Sequence, residues 1–256
     1  MQKENHLYGL IGYPLSHSFS QKYFTEKFQK EGLKEHSYLL FPIIGIGELP
    51  LLLEQEPELR GFNVTIPYKE KIIAYLDEMD VIAEKTGAVN TVKVSRADGK
   101  ISLKGYNTDV YGFSQSLKEW FSSLYAKMPC RALILGSGGA SKAVVYALNC
   151  MNIIANVVSR KAGNNIYKTY EQLDAADFAA HHLIINTTPL GMFPVVNECP
   201  ALPYQYLSGN HYLYELVYNP SETLFMQKGL ANGANVCNGE RMLHLQADRA
   251  WVIWKD

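Results

Sequence analysis

Arg131-Ala-Leu-Ile-Leu-Gly-Ser-Gly-Gly-Ala-Ser141 is the stretch that decides the fold. An apolar run of strand length ends in a glycine-rich turn, and residues 142–149 continue with helical apolar spacing. Through Gly136, Gly138 and Gly139 the backbone can turn sharply, and no side chain then blocks the free N–H groups at the start of the helix. Such a turn can approach a pyrophosphate, whose charge the helix N-terminus stabilises. A lone Gly-x-Gly is also an ordinary strand-to-helix turn. Here the strand before, the helix after and a second strand over residues 153–158 select the nucleotide-binding half of a doubly wound α/β fold. Where an acidic residue would grip the ribose diol of NAD, the second strand ends in Ser159-Arg160-Lys161. A guanidinium there can clamp a 2′-phosphate and stack on adenine, which favours NADP; the alternative is two solvated charges after a strand.

Outward from this unit the chain alternates strands and helices. Upstream, residues 110–125 form an amphipathic helix with Phe113, Leu117, Trp120, Phe121 and Leu124 near 3 and 4 spacing. Earlier still come strands over 7–11, 37–41 and 61–66, helices over 20–30 and 69–75, and a hairpin turning at Ala97-Asp-Gly. Downstream, strands over 182–186, 212–218 and 234–236 precede a closing helix over 242–254. The class is α/β, as in a doubly wound parallel sheet.

With 256 residues, 47% hydrophobic and 19% charged, the chain is globular and long enough for one large or two modest domains. Lys plus Arg number 24 against 25 Asp plus Glu, so no basic footprint points to nucleic acid. No apolar run is long enough to span a membrane and Met1-Gln-Lys-Glu-Asn-His lacks an apolar signal core, so a cytoplasmic protein is expected. The dispersed Cys130, Cys150, Cys199 and Cys237 read as buried reduced thiols, and with no ligand spacing among the Cys and His residues no metal is expected. The 17 tyrosines raise the aromatic share to 12%.

Three polar segments fall at strand ends in the first part of the chain, where an open α/β sheet places its ligands. They are Ser16-His-Ser18, Asn63-Val-Thr-Ile-Pro-Tyr-Lys69, and Asn90-Thr91 with Asn107-Thr-Asp109. Strand alternation puts Asn63 and Thr65 on one face, able to address one ligand. A cationic Lys69 beside the carboxylate of Asp109 suits reduction of a ketone: the ammonium stabilises and protonates the oxygen as hydride reaches carbon, and Asp109 holds Lys69 in place. Singly, each has a structural alternative, Asn and Thr as turn caps, Lys69 as surface, Asp109 as a helix N-cap.

These residues together resemble the shikimate dehydrogenase family, from Tyr8 almost to the end of the chain. The resemblance rests on Gly12-Tyr-Pro-Leu-Ser-His-Ser18, Asn63 to Lys69, Gly87-Ala-Val-Asn-Thr91, Asn107-Thr-Asp109, the glycine turn, Asn186-Thr-Thr-Pro-Leu-Gly-Met192 and Tyr214-Glu-Leu-Val-Tyr218, in family order. It implies an N-terminal α/β substrate lobe over residues 1–109 with a return helix at 238–256, a Rossmann-like NADP-binding lobe over 110–237, and a cleft between them. The implied reaction is NADPH-dependent reduction of 3-dehydroshikimate to shikimate, with Lys69 and Asp109 as the catalytic pair. Ser16, Ser18 and Tyr218 would bind the substrate carboxylate, and Asn63, Thr65, Asn90, Asp109 and Gln246 the ring hydroxyls. Gly136, Ser137, Gly138, Gly139, Ala140 and Ser141 would cradle the pyrophosphate, Ser159, Arg160 and Lys161 would hold the 2′-phosphate, and Thr187, Thr188, Leu216, Gly239 and Met242 would lie along the nicotinamide. Partners beyond the small-molecule substrate are not implied, apart from a monomer or homodimer state. Two departures stand out: Ser159-Arg160-Lys161 where the family commonly has Asn-Arg-Thr, and Asn238-Gly-Glu-Arg-Met242 where it is more glycine-rich. The rivals are an NAD-dependent quinate/shikimate dehydrogenase and a ligand sensor that kept the fold without the chemistry.

Overall fold

Apolar runs bounded by turn residues become strands, and the two sheets they build differ in kind. The structure, a computed structural model, describes residues 5–15, 19–124 and 127–256. One unit comprises the residues up to Thr108 together with Ala247–Asp256, and the other comprises Asp109–Gln246.

The first unit contains β1 (His6–Gly12), α1 (Phe19–Lys30), β2 (His36–Pro42), α2 (Leu49–Gln55), β3 (Leu59–Val64), β4 (Glu78–Met79), α3 (Val81–Thr86), β5 (Thr91–Ala97) and β6 (Lys100–Tyr106). Its sheet runs β2-β1-β3-β5-β6-β4. The sheet is mixed. β1 pairs in parallel with β2 and β3, whereas β5 is antiparallel to both β3 and β6. The expected hairpin forms, with Asp98 and Gly99 at positive φ in its turn. The helix expected over 69–75 is a 3-10 turn at Lys71–Tyr75, and β3 stops at Val64 rather than at Ile66, because Pro67 denies the ladder a donor. Apolar side chains of β1, β3 and β5 pack with Leu49, Leu53 and Ile72 on one face of the sheet.

The second unit contains α4 (Asp109–Ser123), β7 (Arg131–Leu135), α5 (Gly139–Cys150), β8 (Ile154–Ser159), β9 (Lys168–Thr169), α6 (Ala175–Ala180), β10 (Leu183–Asn186), β11 (Tyr212–Glu215), α7 (Leu224–Ala231), β12 (Asn235–Cys237) and the start of α8 (Glu240–Lys255). Its sheet is wholly parallel in the order β12-β11-β10-β7-β8-β9. This order runs outward from β7 in both directions, the doubly wound arrangement, and its switch point lies between β7 and β10. β7 and β10 are buried almost throughout, as continuous apolar strands covered on both faces should be. Sequence periodicity did not reveal β9, α6 or α7, each too short to carry a pattern.

The four cysteines are free, but Cys130 and Cys150 are exposed and Cys199 and Cys237 half-buried, which corrects the expectation of buried thiols. Cys130 directly precedes β7, Cys150 and Cys237 end α5 and β12, and Cys199 lies in the loop after β10, all places where burial is incomplete. Among the described residues no helix is long and apolar enough to cross a membrane.

In the first unit, the last turns of α8 are held by an aromatic cluster. Trp251 and Trp254 pack with Tyr8, Phe24, Phe28 and Tyr38. The Trp254 indole N–H donates to the Val92 carbonyl at 3.0 Å, and Trp251 donates to Glu31. A Cβ on Gly61 would overlap the Trp254 ring, so β3 must be bare at this point. The ring is buried and pinned by its hydrogen bond, so it cannot swing clear. Gly61→Ala should therefore destabilise the protein by about 1–3 kcal/mol, the range for overpacking. An unchanged urea midpoint would show that the ring is not fixed.

Candidate active site

Register brings the polar segments of the first unit to one end of its sheet. The Thr65 N–H donates to the Ile11 carbonyl and the Tyr13 N–H to that of Ile66, so the turns after β1 and β3 lie side by side. Across β3, Asn63 pairs with Thr91, and Thr91 in turn with Tyr106. Gly12–Leu15, Thr65–Lys69, Asn90–Thr91 and Asn107–Thr108 thus converge. Ser16 and Ser18 lie outside the described residues.

Asn63 is buried with its amide committed inward. Its Oδ1 accepts from the Tyr38 hydroxyl at 2.8 Å, and its Nδ2 donates to Thr91 Oγ1 at 3.1 Å and to the Asn90 carbonyl at 3.3 Å. Asn90 grips Thr108: its Oδ1 accepts from the Thr108 N–H at 2.7 Å and its Nδ2 donates to Thr108 Oγ1 at 2.9 Å. Asn107 is likewise tied down, donating to Thr86 Oγ1 and the Ala88 carbonyl. α3 ends at Gly87, whose φ of +59° is the left-handed cap glycine favours, and this sends the chain into Ala88–Thr91. Thr65 and Lys69 are half-buried in the turn after β3, with the Lys69 carbonyl accepting from the Val89 N–H at 2.7 Å. Tyr68 is buried and donates to the carbonyls of Ile43 and Ile44, which anchors that turn.

In the second unit, Asp109 is the buried first residue of α4. Gly112, one turn on, lets α4 approach α8 closely: a Cβ there would lie 2.7 Å from the Met242 carbonyl oxygen and 3.0 Å from Gln246 Cβ. Arg241 reinforces the crossing with a two-pronged exposed ion pair to Glu119, which holds that carboxyl below its ordinary value. Gln246 is buried, and its Nε2 donates to the Leu243 carbonyl. Tyr218 is half-buried after β11.

At the switch point, the Gly136 N–H donates to the Val158 carbonyl at 2.8 Å, and its φ of +107° is open to glycine alone. A Cβ on Gly136 would meet Thr187 Oγ1 at 2.9 Å. Ser137 and Gly138 are exposed, Gly139 and Ala140 half-buried, and Ser141 buried in the first turn of α5. A dinucleotide fits this turn. Gly138 caps α5 without a side chain, nothing lies within 4 Å of where its Cβ would project, and the first helical turn carries no acid, so its N–H groups can take a pyrophosphate. Ser159 ends β8, followed by exposed Arg160 and Lys161. Arg160 lies close enough to Tyr170 to act on its phenol, which burial pushes up to about 12. Thr187, Thr188 and Leu216 are half-buried at the ends of β10 and β11, and Met242 is buried. A Cβ on Gly239 would overlap the Leu216 carbonyl, so the glycine retained in Asn238-Gly-Glu-Arg is required by this contact.

Sequence reasoning missed Tyr38, Thr108 and Glu215, which hold these segments without facing outward. Glu215 alone carried a signal, as an acid at the end of an apolar strand.

A family model for the shikimate dehydrogenase substrate binding domain matches residues 10–92. Shikimate dehydrogenase (NADP(+)) of Carboxydothermus hydrogenoformans is 38% identical over 267 residues, spanning 98% of this chain and 92% of its own. The structure of shikimate 5-dehydrogenase from Thermus thermophilus in complex with NADP(H) and shikimate superposes with a TM-score of 0.81 at 29% identity, covering 97% of this chain and 93% of that one. Quinate dehydrogenase from Corynebacterium glutamicum in complex with NAD gives 0.83 at 26% identity, covering 98% and 94%. Fold and turn chemistry define a Rossmann-type dinucleotide-binding protein with a second α/β unit formed by both ends of the chain. The chain belongs to the shikimate dehydrogenase family.

Replacing Asn90 by Ala would remove the acceptor of the buried Thr108 N–H and the amide that donates to the Thr108 hydroxyl. It should cost about 1–3 kcal/mol of stability. Chemical denaturation of Asn90→Ala at wild-type stability would refute the clamp.

Proposed function

We propose that this chain catalyses the reversible NADP-linked interconversion of shikimate and 3-dehydroshikimate, the reduction serving chorismate and aromatic amino-acid biosynthesis. One observation carries the reading: a chain related over nearly its whole length to NADP-dependent shikimate dehydrogenases keeps Lys69 and Asp109 within intact polar segments. When bound, NADPH supplies the hydride. Lys69 hydrogen-bonds the carbonyl oxygen, stabilises the charge that builds there and protonates it; in the reverse direction its amine takes the hydroxyl proton. Asp109 supplies the partner charge that orients the ammonium.

Thr65, Asn90, Asp109 and Gln246 are assigned to the ring hydroxyls, and Ser16, Ser18 and Tyr218 to the carboxylate. Asn63 belongs to the same set, but its inward hydrogen bonds to Tyr38 and Thr91 support a role behind Thr65 and Asn90. Gly136, Ser137, Gly138, Gly139, Ala140 and Ser141 form the pyrophosphate turn. Ser159, Arg160 and Lys161 take the 2′-phosphate, for which two exposed cations and no acid at the end of β8 are the support. Thr187, Thr188, Leu216, Gly239 and Met242 are assigned to the nicotinamide side. The proposed setting is the cytoplasm, with a monomer or homodimer as the working form.

Initial rates should be higher with NADP+ and shikimate than with NAD+ and quinate, followed by absorbance of the reduced cofactor. The opposite ranking would favour the quinate enzyme. Lys69→Ala should lower turnover by about two to four orders of magnitude while substrate binding changes less. Turnover at the wild-type level would reject the proton-transfer role of Lys69, whereas absence of turnover in the wild type itself would leave a ligand sensor as the better reading.

A further inference from the structure

The end of β11 holds a carboxylate that the mechanism above leaves unused. Glu215 is fully buried and forms no ion pair among the described residues; neutral dipoles hold it. Asn186 Nδ2 lies between its two oxygens, donating at 3.0 and 2.9 Å. The Val217 N–H donates to Oε1 at 3.0 Å, and the hydroxyl of Thr223, which caps α7, donates to Oε2 at 2.9 Å. One side chain therefore ties the ends of β10 and β11 to the start of α7.

The consequence runs through Asn186. Its Oδ1 accepts from both the N–H and the hydroxyl of Thr188, at 3.0 and 2.7 Å. An amide can present oxygen to Thr188 only while its NH2 faces the other way, and a carboxylate on that other side makes the reversed orientation repulsive. Glu215 thus sets the Asn186 amide, and the amide sets Thr188. On its second arm Glu215 holds the Val217 N–H, next to Leu216, whose carbonyl packs against the bare backbone of Gly239. Burial pushes the Glu215 carboxyl up to about 7 against these hydrogen bonds, so the site keeps a desolvated acid where an apolar residue would be easier to bury.

We propose that Glu215 is a positioning residue for the nicotinamide half of the cofactor, holding the Thr187–Thr188 turn and the Leu216–Tyr218 segment at a fixed spacing. This inference rests on the NADP-linked reading. Glu215→Gln keeps the shape but turns an NH2 toward donors, which frees the Asn186 amide to reverse.

The test compares NADP+ with 2′,5′-ADP, a probe that carries the 2′-phosphate but no nicotinamide, using calorimetric dissociation constants for wild type and Glu215→Gln. NADP+ should bind about ten-fold more weakly to the variant, with 2′,5′-ADP within about two-fold of wild type. Unchanged NADP+ binding, or both probes weakened in parallel as general destabilisation would produce, overturns the proposal. Should Glu215→Gln fail to fold, Thr223→Val removes one donor from the same carboxylate outside the cofactor turn. It should weaken NADP+ by a smaller factor and leave 2′,5′-ADP alone, and no change in NADP+ binding refutes the network. Wild-type protein that binds neither probe would refute the NADP reading, and this inference with it.

Discussion

The indole of Trp254, donating to the Val92 carbonyl across the bare backbone of Gly61, is the constraint on which the first unit depends. Through it the last turns of α8 share one core with Tyr8 and Leu10 of β1, which is why residues 247–256 belong to the first unit. α8 meets the same demand twice. Near its start in the second unit its backbone presses on Gly112 of α4, and near its end in the first unit its largest side chain presses on Gly61. At each place a missing Cβ sets how closely the helix packs, and close packing fixes position more tightly than an ion pair at the surface, such as that of Arg241 with Glu119, can do.

A second regularity concerns buried amides. Asn63, Asn90, Asn107 and Asn186 all stand at strand ends, and the hydrogen bonds each forms with protein partners tie neighbouring segments together. An amide offers both donor and acceptor in a fixed plane, so it can join two backbone segments in one orientation without adding charge to a buried place. The Asn186 network holds a carboxyl, Glu215, and Asn186, Val217 and Thr223 all meet it with neutral donors. The outward-facing residues of each unit rest on this inward layer.

Much of this was legible in the chain. The glycine turn, the strand before it and the helix after it follow from local rules, because φ, helix start and apolar run length are properties of a few adjacent residues. The long helices α4 and α8 and the hairpin at Asp98-Gly99 were legible for the same reason. The mixed character of the first sheet was not, because a strand's direction relative to its neighbour leaves no local trace. Nor could periodicity find β9, α6 or α7, each shorter than the window in which a pattern repeats.

The sequence by itself determined the doubly wound unit, its glycine-rich turn, the cations that follow β8 and the set of polar residues placed at strand ends. These are written in residue type and short spacing. Only the tertiary structure decided that Asn63 turns inward to Tyr38, that Asn90 holds Thr108, that Gly61 and Gly112 are bare to admit a helix, and that Glu215 orients Asn186. Each of these joins residues from 18 to nearly two hundred positions apart, and which of many buried donors meets which acceptor is settled by packing, where every group must be satisfied at once.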